Sequence, residues 1–133
     1  MFGKTSKPTT KIDSLIGTGT MIEGDVVFSG GLRIDGEVRG NVSASEDQQG
    51  TLVLSENARI EGGVTVPHVV INGTVNGPIC SSAFLELQPR ARIAGDVEYN
   101  SIEIHLGAIV QGKLVHRGEA TVAAVELKLA SSH

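Results

Sequence analysis

The chain has 133 residues, of which 40% are hydrophobic, and a formal net charge of −4, values that suit one domain with its own core. Aromatics make up 3% with no Trp, and Cys80 is the single cysteine; an internal disulfide and a zinc knuckle are excluded, and Cys80 is expected to be a small buried hydrophobe. No stretch approaches the ~18 apolar residues of a membrane span, residues 1–10 lack the apolar core of a signal peptide, and an acidic body offers phosphates no continuous basic face, so no nucleic-acid partner is expected.

Residues 1–11 are rich in Thr, Lys and Ser, are interrupted by Pro8, and show no apolar period, so they are expected to be a disordered tail. They hold three of the 11 basic side chains, Lys4, Lys7 and Lys11, and none of the 15 acidic ones. Two readings of this tail stay open. In one, Met1 and Phe2 enter a bilayer while the three lysines meet anionic head groups; in the other it is a flexible start in which Phe2 has no role. A single such tail binds weakly, and a polymer displaying many binds strongly through avidity.

From Ile12 the apolar pattern alternates with a period of two, as in strands, to about Leu114, and residues 12–118 are assigned to one β-domain. Six copies of the pattern aliphatic-x-Gly-x-aliphatic organise it: Ile22 to Val26, Val38 to Val42, Ile60 to Val64, Val75 to Ile79, Ile93 to Val97 and Val110 to Leu114. Their central glycines, Gly24, Gly40, Gly62, Gly77, Gly95 and Gly112, stand 16, 22, 15, 18 and 17 residues apart, and the long step contains a polar insert from Ala44 to Gln49. A repeat near 17 residues is too short for a helical hairpin and matches one coil of a β-solenoid. The fold class expected is therefore all-β, a single parallel β-helix of about six coils.

In such a stack each residue lies about 4.8 Å above its counterpart. The aliphatic ends of the pattern are assigned to the core, and the glycines to corners. Thr20, Ala58, Ala91 and Ala108 are expected to share one column, and Phe28, Val66, Tyr99 and His116 another. A second strand in each coil begins at Leu52, Val69, Leu85 and Ile102. Both ends of a solenoid expose core and unpaired backbone, and neither end here reads as a polar cap: the first coil opens with Leu15 and Ile16. Residues 119–133 form a C-terminal segment, end-capping or disordered, in which Val122, Val125 and Leu129 fit a helix face as well as the alternation Glu126-Leu127-Lys128-Leu129 fits a strand.

No catalytic, cofactor or metal residues are assigned. The four histidines, His68, His105, His116 and His133, are not grouped at ligand spacing in the sequence, and no acidic partner recurs with them; His116 is expected to be half-buried and structural. Acids such as Glu23, Asp35, Glu61 and Asp96 follow the repeat and read as a solvated face. No nucleotide-binding glycine loop and no G-x-S-x-G occurs.

Six I-x-G-x-V patterns in register, the doubled phrase from Leu32 to Val42 and the Phe2-plus-lysine tail resemble the bactofilins over residues 12 to about 116. The resemblance implies a right-handed parallel β-helix of triangular section that joins end to end, without nucleotide, into non-polar filaments. It also implies a bacterial cytoskeletal scaffold at the inner face of the cytoplasmic membrane, with itself, membrane lipids and peptidoglycan-modifying or polar-complex proteins as partners. Some family members use an aromatic residue near the C-terminal end for polymer contact; here Phe stands only at 2, 28 and 84, so Leu15, Ile16, Leu114, Val122, Val125 and Leu127 are assigned to that contact. A hexapeptide-repeat acyltransferase is the main alternative, since Ile16, Ile22, Phe28 and Ile34 fall six apart, but that register breaks at Gly40 and at the insert. A β-helix carbohydrate-active enzyme would need longer corner loops to build a groove.

Overall fold

Short β-rich segments separated by small or polar residues cannot bury an apolar face alone, and here they do so by stacking. The structure, a computed structural model, describes residues 12–45 and 50–117. Within them the chain winds through six coils, each contributing one strand to each of three six-stranded parallel sheets. Sheet A holds Ser14–Ile16, Gly31–Ile34, Thr51–Leu54, His68–Ile71, Phe84–Leu87 and Ile102–Ile104. Sheet B holds Met21–Glu23, Glu37–Arg39, Arg59–Glu61, Thr74–Asn76, Arg92–Ala94 and Ile109–Gln111, and sheet C holds Val26–Phe28, Val42–Ala44, Val64–Thr65, Ile79–Ser81, Val97–Tyr99 and Leu114–His116. Six coils at about 4.8 Å each make a rod roughly 30 Å long.

The register stacks like on like. Val38, Ile60, Val75, Ile93 and Val110 follow one another in sheet B, and Val42, Val64, Ile79, Val97 and Leu114 do so in sheet C. Assigned core residues Val38, Val42, Ile60, Val64, Val75, Ile79, Ile93 and Val97 are all buried. Ile22, Val26 and Val110, on the end coils, are partly buried against the same core, each being stacked on one side only among the described residues.

Each I-x-G-x-V pattern spans two strands that meet at the expected glycine corner. Glycine stands at the corner between sheets B and C, so a coil has three strands where the alternation alone suggested two. The glycine is needed because of close approach: a Cβ on Gly40, Gly62, Gly77, Gly95 or Gly112 would meet the carbonyl of the corner glycine in the preceding coil. Gly24, in the first coil, has nothing within 4 Å of that position.

Coil length varies at the other corners. Between sheets A and B the connections have four residues (17–20, 55–58, 88–91, 105–108) in coils one, three, five and six, and two (Asp35-Gly36, Asn72-Gly73) in coils two and four. The short corners tuck over the long ones below, and Gly36 and Gly73 leave room for the carbonyls of Thr20 and Ala58. These glycines complete the column expected for Thr20, Ala58, Ala91 and Ala108. The insert enlarges one corner between sheets C and A; residues 46–49 of it lie outside the described residues. Inward residues on either side of the corner between sheets A and B sit six apart where it is long, as Leu54 and Ile60, and four apart where it is short, as Ile34 and Val38 or Ile71 and Val75, so no constant hexapeptide register runs through the rod.

Two expectations are corrected. Cys80 is half-buried and lies on the outward face of sheet C, because strand alternation places its neighbours Ile79 and Ser81 inside. His116 is exposed, since nothing stacks above it among the described residues, although its ring lies 5.5 Å from that of Tyr99 in the shared column.

Candidate assembly surfaces

The outer face of sheet B is built from charges. Glu23, Arg39 and Glu61 stack in one outward column, and Glu37 lies on Arg59 in the next. Arg39 bridges Glu37 at 3.2 Å and Glu23 at 3.8 Å, and Arg59 pairs with Glu61. Donation from Arg59, joined by the Asn76 amide, holds the Glu61 carboxyl below the usual carboxylate range. Isolated exposed pairs add little to stability, but this checkerboard of signs opposes a slipped register, because moving one coil by two residues would bring like charges opposite.

The acids beside the glycine corners have more to do than solvate. Asp25 Oδ1 accepts from the Asn41 backbone N–H at 2.8 Å, Asn41 Oδ1 from Gly63 at 2.8 Å, and Asp96 Oδ1 from Lys113 at 3.0 Å. Each ties its coil to the next. The signal in the sequence is the Gly-Asp or Gly-Asn pair at the corner, which composition alone does not separate from an ordinary polar surface.

The two ends of the rod are where the columns stop. Along sheet C the inward position goes from fully buried at Val97 to 45% exposed at Leu114, and along sheet A from fully buried at Leu87 to 47% at Ile104. Leu106, on the last four-residue corner, is 95% exposed. At the first coil Leu15, Met21 and Val27 are exposed on the outward faces, stacked on Arg33, Glu37 and Ser43, whereas Ile16 is buried beneath Ile34. Of the residues assigned to polymer contact, Leu15 and Leu114 are thus open, Ile16 belongs to the core, and Val122, Val125 and Leu127 lie outside the described residues. Ile104, Leu106 and Ile109, which the sequence reading did not select, share the last coil with Leu114. Met1, Phe2, Lys4, Lys7 and Lys11 also lie outside the described residues.

The register gives one histidine acidic partners that the linear sequence hides. Glu86 and Glu103 pair across adjacent strands of sheet A, and His105 Nε2 lies 3.0 Å from Glu86 Oε2 and 3.3 Å from Glu103 Oε2. At His105 the register adds a partner that sequence spacing did not single out, because Glu86, 19 residues earlier, lies one coil below it.

No helix in the described residues is long and apolar enough to cross a membrane. Residues 14–115 match the family model for bactofilins, described as polymer-forming cytoskeletal. The chain is similar to Bactofilin BacO of Myxococcus xanthus (strain DK1622), at 29% identity over 81% of this chain and 82% of that protein. It is also similar to Bactofilin BacP of the same organism, at 24% identity over 77% of this chain and 41% of that longer protein. No solved structure matches the chain. A family match spanning all six coils makes this chain a member of the bactofilins, the polymer-forming cytoskeletal family.

Proposed function

We propose that this chain is a non-enzymatic bacterial scaffold whose rods join end to end, without nucleotide, into filaments held at the inner face of the cytoplasmic membrane by residues 1–11. There it positions cell-envelope or cell-shape machinery, with peptidoglycan-modifying or polar-complex proteins as clients. The observation that supports the reading is the loss of cover at the last coil: Leu114 and Ile104 continue columns that are sealed one coil earlier. An open slice of aliphatic core with unpaired strand edges is the surface that stacking a second rod would bury.

The tail supplies the membrane contact, Phe2 inserting and Lys4, Lys7 and Lys11 drawn to anionic lipid. Burying one Phe contributes about 1.5–3 kcal/mol, and each lysine near an anionic surface about 1 kcal/mol. That is reversible for a monomer and firm for a polymer.

Sedimentation with liposome flotation separates the two parts. Leu114→Arg places an unpaired charge in the junction and is expected to leave a folded chain in the supernatant. Deleting residues 2–7 is expected to leave filaments that no longer float with anionic liposomes. Normal pelleting of the Leu114→Arg chain would remove the end contact, and undiminished flotation of the deletion would remove the tail.

A further inference from the structure

Wherever else two charged side chains meet across a strand pair among the described residues, they are of opposite sign: Glu23 on Arg39, Glu37 on Arg59, Arg39 on Glu61. Glu86 on Glu103 is the exception. Like charges directly opposite in a sheet destabilise it, and neither carboxylate is ion-paired to a Lys or Arg among the described residues. Their neighbours are Gln88, whose Nε2 donates to Glu86 Oε2 at 3.2 Å, and His105.

Geometry turns that conflict into a donor set. Glu103 stands on the last strand of sheet A, two residues before His105, and so shares its outward face. Glu86 lies one coil below. The His105 backbone is pinned by donation from its N–H to Leu87 O at 2.9 Å. One imidazole nitrogen and two carboxylate oxygens, all within 4.8 Å of one another, form a compact three-donor face. Carboxylates alone would suit Mg²⁺ or Ca²⁺; adding imidazole shifts the preference to first-row divalent ions, and three protein ligands leave positions for water.

We propose that Glu86, Glu103 and His105 bind a first-row divalent cation of the Zn²⁺ type, which staples the last coil to the one before it. A terminal coil of a solenoid is held by one neighbour only. A cation shared by Glu86 in coil five and Glu103 and His105 in coil six removes the like-charge conflict and opposes fraying of the exposed end around Ile104.

Titration calorimetry of the full chain with Zn²⁺ alone tests this, with His105→Gln and Glu103→Gln as site variants and His116→Gln as control. Both site positions are at the surface, and circular dichroism checks that each variant folds; if one does not, the other decides. Affinity is expected to fall at least about tenfold in both site variants and to stay unchanged in the control. Hydrogen exchange at residues 102–105 should slow with Zn²⁺ in the wild type and not in His105→Gln. Absence of Zn²⁺ binding by the wild type, equal binding by the site variants, loss of binding in His116→Gln alone, or equal affinity for Mg²⁺ would each overturn the proposal.

Discussion

At Gly77 the backbone of one coil rests on the backbone of the one below: an added Cβ would meet the Gly62 carbonyl, and backbone cannot give way as a flexible side chain does. Gly77→Ala is therefore expected to cost about 2–5 kcal/mol. Gly17→Ala, where an added Cβ meets nothing within 4 Å, should stay within about 0.5 kcal/mol; denaturant unfolding of the two variants checks the contrast. Glu61 carries a pH dependence of definite sign. Its carboxyl is held below the usual range by Arg59 and Asn76, so the stability it contributes is present above about pH 4.3 and is lost as pH falls through its lower folded-state value. The melting-temperature gap between wild type and Glu61→Gln should thus be open at pH 7 and close at more acid pH; a gap of constant size would mean the ion pair does not act on stability. The corner glycines could be read from the sequence because repetition at near-constant spacing is itself the signal. The backbone caps made by Asp25, Asn41 and Asp96 could not, since which N–H they reach is fixed only when one coil lies on the next.

Strands of three or four residues hold together here because each inward side chain is one step of a column. Ile93 is buried between Val75 and Val110, and Ile93→Ala should cost about 2–5 kcal/mol by leaving a cavity in a stack that cannot collapse sideways. Ile22, on the first coil, is covered from one side only, so Ile22→Ala should cost clearly less. Equal costs would mean that the end coil is as fully covered as the middle. The alternation of Val and Ile in the repeats disclosed which residues face inward, and all of those on inner coils do. It did not disclose the third strand of each coil, because inward residues on both sides of the glycine corner continue the same apolar pattern. The two- and four-residue corners between sheets A and B were equally hidden: their effect on coil length is partly masked in the glycine spacings by the insert after Ala44.

Taken together, the described residues form a prism with three faces and two ends. Its faces are tied by paired charges and corner caps, while the last coil leaves the inward-facing Ile104 and Leu114 about half exposed. The charge asymmetry of Lys4, Lys7 and Lys11 ahead of an acidic body is plain in the sequence, and the tether proposed from it lies outside the described residues. The Glu86, Glu103 and His105 grouping was not legible there, since its members come from two coils. If rods stack coil on coil, the strand spacing of one subunit continues into the next and lies along the polymer. Fibre diffraction from oriented filaments of the purified chain, assembled without nucleotide, reads this directly. End-to-end stacking predicts a reflection near 4.8 Å along the filament axis; the same spacing found only perpendicular to that axis would mean that rods associate through their sides, and would contradict assembly through the open ends.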